Sequence, residues 1–277
     1  MATVRELLHE ARDLPGESAR RDAEILLCHS LQQPRTYLFT WPEASVPEPA
    51  AATYRELLGR RREGQPIAYL TGERGFWSLS LGVDRHTLIP RPETELLVEW
   101  ALALPLPNDA QVLDLGTGSG AIALALASEC PSWAVTAVDS SAGALARARA
   151  NASALGLENV CFQQSDWYTG IDAGRYALIV SNPPYVAPGD PHLTSGDLRF
   201  EPPSALVADD NGLADLRSII AGAPPLLLPG GYLLLEHGLE QGGDVREMLK
   251  SAGFAQVETR QDLGGRDRVT GACMHVE

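Results

Sequence analysis

From Gln111 onward the sequence alternates short apolar runs with helical segments, and that rhythm admits few folds. Val112-Leu113-Asp114-Leu115 reads as a strand, and Ala121 to Ser128 as a helix. Ala134 to Val138 repeats the strand, and Ala142 to Ala154 repeats the helix. Val160 to Gln163 and Tyr176 to Val180 are further strands. Tyr232 to Leu235, Ala255 to Thr259 and Arg268 to Cys273 follow, with Gln241 to Ser251 as a helix among them. Strands separated by helices predict an α/β doubly wound sheet of Rossmann-like type. In such a sheet, ligands sit outside the carboxyl ends of the strands.

The first third reads differently. Val4, Leu7, Leu8 and Ala11 keep helical spacing, as do Ala23, Ile25, Leu26 and Leu27 in a segment starting near Glu17. Pro42, Pro47 and Pro49 punctuate a linker, and a third helix runs from about Pro49 to Arg62, ended by Gly64-Gln65-Pro66. Phe76-Trp77-Ser78-Leu79-Ser80-Leu81 alternates, which predicts a strand or hairpin. The predicted organisation is a helical domain over 1–68, a β-hairpin linker over 69–86 and an α/β domain over 87–277. Thr94 is the expected N-cap of a helix from Glu95 to Leu104. The Pro/Gly/Asp-rich stretch Ala187 to Asn211 reads as a long loop, of a length that is usually either functional or disordered; following the Asn182 turn, it is placed to act as a cover over the site.

Composition narrows the function. The 277 residues carry a net charge of −14, which argues against a chain that grips duplex nucleic acid through phosphates. No stretch approaches the ~18 apolar residues of a membrane span. The amphipathic start lacks the apolar core of a secretory signal. Cys28, Cys130, Cys161 and Cys273 are scattered without metal-ligand spacing, which points to reduced thiols, a cytoplasmic protein and no metal.

Four constellations carry chemistry. Gly116-Thr117-Gly118-Ser119-Gly120 lies between strand and helix, where backbone N–H groups and a helix N-terminus meet a ligand. Asp139 ends the next strand, placed to accept from two ribose hydroxyls. Gly116, Gly118 and Ala121 also satisfy the dinucleotide pattern, so the glycines alone do not separate a nicotinamide enzyme from an S-adenosylmethionine enzyme. Asp114 favours the latter, since a carboxylate suits an ammonium and a sulfonium better than a pyrophosphate. Asn182-Pro183-Pro184-Tyr185 follows an apolar strand. Its two prolines remove two donors and lock two φ angles, holding an amide, free carbonyls and a ring rigidly. That set suits a planar amide or amino group whose nitrogen is to be alkylated. Asp166 and Trp167 follow the third strand, where a carboxylate can bind an adenine amine and an indole can cover the base; a core tryptophan is the competing reading. In the long loop, His192 is a tempting base but reads better as a surface or capping group, and Arg199 and Glu201 are expected to pair.

These residues resemble the HemK/PrmC family of protein-(glutamine-N5) methyltransferases. The resemblance runs through Arg21-Asp22-Ala23-Glu24-Ile25-Leu26-Leu27, Phe76-Trp77-Ser78-Leu79 and Leu88-Ile89-Pro90-Arg91-Pro92-Glu93-Thr94-Glu95. It continues through Val180 to Tyr185, Asp190 to Leu193, Gly196 to Pro202 and Glu236-His237-Gly238. Gly75, Ser119 and Val186 are mild departures from the family pattern. The resemblance implies a class I methyltransferase fold, S-adenosyl-L-methionine held by Gly116 to Gly120, Asp139, Trp167 and Asn182, and a substrate glutamine held by Asn182 to Tyr185. The implied partner is the Gly-Gly-Gln domain of class I peptide chain release factors; the helical region and the Phe76 hairpin, which otherwise lack a role, are expected to dock it. An adenine-N6 nucleic-acid methyltransferase is the alternative enzyme, since Asn-Pro-Pro-Tyr also suits a flipped base. A binding module without chemistry is the alternative outside enzymes.

Overall fold

In the computed structural model of the protein, residues 1–16, 18–171 and 176–275 are described. The helix start expected near Glu17 therefore lies outside the described residues. The chain divides into two compact units, Met1–Glu73 with Thr194–Phe200, and Arg74–Leu193 with Glu201–Glu277.

The first unit is helical. A capping box at Thr3, closed by Glu6, starts α1 (Val4–Glu10). There follow α2 (Ala19–Leu31), α3 (Arg35–Thr40), α4 (Glu48–Arg62) and α5 (Ile67–Thr71). Leu7, Leu26, Leu27 and Leu58 fill the centre. Tyr54 is fully buried among them, and its hydroxyl donates to the Leu7 carbonyl at 3.1 Å. Glu24, also buried, is neutralised by Arg20 and Arg35. Arg61 donates to Asp22 at 2.8 Å and to Asp197 at 2.9 Å, which ties the segment 194–200 into this unit. Arg199 lies over the Phe200 ring and donates to the Glu63 carbonyl.

The second unit opens with a hairpin, β1 (Glu73–Phe76) and β2 (Leu79–Gly82). Then come α6 (Glu95–Leu102), β3 (Gln111–Leu115), α7 (Ala121–Glu129), β4 (Ala134–Asp139), α8 (Ala142–Leu155), β5 (Val160–Gln164) and β6 (Tyr176–Ser181). After the long loop, a four-residue turn α9 (Asp209–Gly212) leads into α10 (Ala214–Gly222). Last are β7 (Leu227–Glu236), α11 (Gly242–Ser251), β8 (Phe254–Gln261) and β9 (Asp267–Met274). The seven long strands form one sheet in the order β5-β4-β3-β6-β7-β9-β8. The first five run parallel, and β9 is antiparallel to both neighbours.

Side-chain alternation along the strands builds a core on each face. Val112, Leu178 and Val180 pack with α6 and α7. Leu113, Leu115 and Ile179 pack with α10 and α11. All six side chains are fully buried, each contributing about 1.5–3 kcal/mol of transfer free energy. Because both faces are covered, β3 and β6 are apolar nearly throughout, which is why they stand out in the sequence. The order reverses beside β3: β4 lies on one flank and β6 on the other. Such a switch point leaves a crevice at the carboxyl ends.

The sequence reading differs from the structure in places. Thr94 is not a side-chain cap: Pro92–Thr94 forms a 3-10 turn that runs straight into α6, and Thr94 itself is helical. β7 begins at Leu227 rather than Tyr232, carrying Pro229, Gly230 and Gly231 inside the strand with a register shift opposite β6. Helices α3, α5 and α10 were not expected. The stretch 187–211 is organised by three short 3-10 turns and a bridge between Val186 and Val207.

Candidate active site

The crevice beside β3 holds a cavity of about 240 Å³. Its floor is the turn after β3. Gly116 and Gly118 adopt φ of +72° and +58°, a conformation that side chains resist. The Gly116 and Thr117 amides both donate to the Val138 carbonyl at 2.9 Å, and the Ser181 hydroxyl donates to the Leu115 carbonyl at 2.7 Å. These bonds lock the ends of β3, β4 and β6 together.

Asp139 closes β4. Its Oδ2 accepts the Gly118 N–H at 2.9 Å and its Oδ1 accepts the Ser141 N–H at 2.8 Å. Each oxygen keeps a further lone pair for a ligand hydroxyl. Burial raises its carboxyl above the usual range, while the two backbone bonds pull it back. Ser141, which caps α8 by accepting the Ala144 N–H, also lines the cavity.

Asp166 and Trp167 line the far end. Trp167 has a φ of +46°, and the Ser165 hydroxyl sits at 2.7 Å and 2.6 Å from the Trp167 and Thr169 carbonyls. The indole is half-buried, beside Gly116 and near Asp215 of α10, whose carboxyl it helps to lower against the raising effect of burial. It is both cavity wall and core edge, so the two readings of Trp167 coexist.

Asn182 stands at the end of β6 with Pro184 beside it in the cavity wall. Its Nδ2 donates to Thr94 Oγ1 at 3.2 Å. The Pro183 carbonyl and Asn182 Oδ1 accept nothing from the described residues. Tyr185 turns away from the cavity lining: its ring is half-buried and its hydroxyl donates to Glu236 Oε1 at 3.2 Å.

Thus Gly116, Thr117, Gly118, Ser119, Asp139, Asp166, Trp167, Asn182 and Pro184 share one cavity. Gly120, Pro183 and Tyr185 stand behind it. Gly120 caps α7 in the left-handed region, where a Cβ would lie 2.9 Å from Leu124 Cδ1. Asp114 does not face the cavity as its charge had suggested. It is fully buried, and its Oδ2 accepts from the Thr117 hydroxyl at 2.7 Å and the Ala123 N–H at 3.2 Å. It braces the glycine turn against the start of α7, and burial pushes its carboxyl up to about 7. His192 is exposed and paired with Asp190.

Several lining residues carry no motif of their own. Arg91 lines the cavity and pairs with Glu201. Glu201 is 3% exposed and also accepts the Ile89 N–H at 2.9 Å, so Arg91, not Arg199, is its partner. The signal for this pair lay in the Leu88–Glu95 and Gly196–Pro202 segments, but not their meeting. Thr94 and Asp215 are further wall residues.

Comparison with known proteins agrees with this architecture. Residues 2–72 match the PrmC N-terminal domain, and residues 92–196 match the methyltransferase small domain. The release factor glutamine methyltransferase of Pseudomonas aeruginosa is 54% identical over 270 residues, covering 98% of each chain. That of Salmonella typhimurium is 51% identical over 267 residues, covering 96% of each. A methyltransferase from Pyrococcus furiosus superposes with a TM-score of 0.56 over 81% of this chain and 100% of its own, at 18% identity, which speaks to the fold alone. The doubly wound, Rossmann-like sheet expected from the strand rhythm is the one observed, and the class I methyltransferase fold implied by the family resemblance agrees with it. With relatives this similar along almost the whole chain, the protein belongs to the release factor glutamine methyltransferase family.

Proposed function

We propose that the protein methylates the side-chain amide N5 of the glutamine in the Gly-Gly-Gln motif of class I peptide chain release factors, in the cytoplasm, with S-adenosyl-L-methionine as methyl donor. Its relatives at 51–54% identity support the reaction class. The observation that carries it is Asn182, whose Nδ2 is committed to Thr94 while Oδ1 has no partner among the described residues. An amide so held presents an acceptor on the cavity wall, as an NH2 group requires.

The donor set fits S-adenosylmethionine. The left-handed glycine turn lets a ligand approach the backbone closely, Asp139 retains acceptor capacity for a ribose, and Asp166 and Trp167 suit an adenine. When bound, this co-substrate supplies an electrophilic methyl on a sulfonium. The chain's own residues do the rest by position. An amide nitrogen is a poor nucleophile because its lone pair is delocalised. Asn182 Oδ1 and the rigid Pro183 carbonyl accept the two N–H groups of the substrate, fix its plane and favour the positive charge that grows on nitrogen. Solvent takes the released proton, so no strong base is needed. The helical unit, which matches the PrmC N-terminal domain, supplies the surface that docks the factor.

Labelled methyl donor offered to release factor, to its Gln→Ala variant and to duplex DNA tests this reading. Label is expected only in the intact factor, and label in DNA would support adenine methylation instead. Asn182→Ala is expected to lose most of kcat with a smaller loss of donor affinity. An Asn182→Ala enzyme with near-normal kcat on the factor would sink the account.

A further inference from the structure

Beneath Asn182 lies a buried polar chain that the proposed reaction has not used. Ser181 is in register with Leu235, so Glu236 at the end of β7 comes level with Asn182 at the end of β6. Glu236 is 1% exposed. A carboxylate in such a place needs donors: the Tyr185 hydroxyl donates to Oε1 at 3.2 Å, Oε2 is buried without a partner in hydrogen-bond range among the described residues, and the Thr94 hydroxyl stands beside the carboxylate, near enough to lower its pKa. Thr94 is 3% exposed and its oxygen accepts from Asn182 Nδ2.

A hydroxyl has one proton. If Thr94 gives it to Glu236, only a lone pair remains for Asn182, and the amide must turn its NH2 inward. Oδ1 is then the end offered outward. Without a carboxylate at 236, the Thr94 proton is free to bond Asn182 Oδ1. The amide would flip and meet the substrate NH2 donor to donor.

The geometry points to Glu236 as a positioning residue that acts through Thr94: by holding the hydroxyl protons of Thr94 and Tyr185 it sets which end of the Asn182 side chain faces the acceptor amide. This inference rests on the reaction proposed above. The role requires Glu236 ionised. The groups facing it are Glu93 and Thr94 from the turn before α6, Tyr185 from the loop after β6 and Arg268 from β9. Burial outweighs the nearby Thr94 hydroxyl, the Arg268 charge and the Tyr185 bond, and pushes the carboxyl up to about 7. Tyr185, raised by burial and by the Glu236 charge, stays a donor throughout. Activity should therefore fall as pH drops through about 7, when the protonated carboxyl can no longer accept from both hydroxyls.

The test compares full-length wild type with Glu236→Gln, Thr94→Val and Thr94→Ser. Calorimetric affinity for S-adenosylmethionine, kcat on release factor and solvent exchange of the Asn182 side-chain amide protons are the readouts. Glu236→Gln and Thr94→Val are expected to lower kcat about 100-fold with donor affinity within about threefold, the size of effect expected when a preorganised polar contact is lost. Both should speed exchange at the Asn182 amide. Thr94→Ser should keep kcat and slow exchange, and Glu236→Gln should lose the pH dependence near 7. A Glu236→Gln enzyme with wild-type kcat, or a Thr94→Ser enzyme as damaged as Thr94→Val, refutes the positioning role while leaving the reaction standing. Donor affinity that falls as far as kcat makes the residues structural and also refutes it. A wild type that does not label the factor refutes the proposed reaction, and this role with it.

Discussion

Gly212 shows how a residue without functional groups can govern the site. It sits at φ +86°, and a Cβ there would lie 2.2 Å from the Tyr185 carbonyl oxygen. That carbonyl also accepts from Gln241 Nε2 at 3.0 Å, so backbone cannot move without losing a bond. Gly212→Ala is expected to destabilise the fold by more than about 1 kcal/mol and to lower kcat by shifting Tyr185, checked by thermal denaturation and steady-state rates. Asp114 supports a pH prediction. Its folded carboxyl titrates near 7 against an ordinary value of 3.8, because burial outweighs its bonds to Thr117 and Ala123. Between those values the fold holds a proton that the unfolded chain releases. Its contribution is thus fully present below about 4, declines as pH rises toward 7 and is flat above. Melting across this range should fall more in wild type than in Asp114→Asn; equal slopes would refute the assignment. At this scale Asn182, Asp139 and the glycines were legible because each lies at a strand end in a recognisable turn. Glu236 and Thr94 acquire meaning only from each other. Asn182 and Thr94 are 88 positions apart, and no local pattern encodes that meeting.

Among the elements, periodicity found what burial made uniform. The strands β3 and β6 are covered on both faces and read as apolar runs. Pro229-Gly230-Gly231 reads as a turn, yet parallel pairing with β6 carries the strand through it by a register shift, so tertiary pairing overrides local propensity. Helix α10 went unseen because it follows a glycine-, proline- and aspartate-rich loop whose composition masked its start. Within that loop, Glu201 joins separate walls of the site. Its carboxylate holds the Ile89 N–H and the Arg91 guanidinium, and both Arg91 and the following Ser204 and Ala205 line the cavity. Glu201→Gln keeps the volume but weakens both bonds. It should cost about 1–3 kcal/mol of stability, as for a buried polar group left poorly paired, and weaken S-adenosylmethionine binding severalfold. Calorimetry and thermal melting check this, and unchanged donor affinity would show that the clamp does not shape the cavity.

At the scale of the whole molecule the question is what selects a protein glutamine over a base. The net charge of −14 gives the chain little electrostatic pull on a phosphate backbone. Duplex DNA added at low salt is therefore expected to leave methylation of release factor unchanged. The helical unit has its own core around Tyr54 and so can present a surface without borrowing stability from the sheet. On that unit, Phe39 is 53% exposed and Trp41 59% exposed, with Arg35 over the Phe39 ring. Half-exposed aromatic rings beside a cation are the composition that protein interfaces enrich. If they help dock the factor, Phe39→Ser with Trp41→Ser should raise KM for release factor by about tenfold or more, the loss of about 1.4 kcal/mol or more expected from removing interface anchors. Donor affinity should stay unchanged and stability should fall by no more than about 1 kcal/mol, because neither ring is core. Deleting residues 1–70 should have the same effect in stronger form, raising KM for the factor far more than for the donor. A double variant with unchanged KM would place recognition elsewhere on the helical unit, whereas a deletion with unchanged KM would remove the unit from recognition altogether.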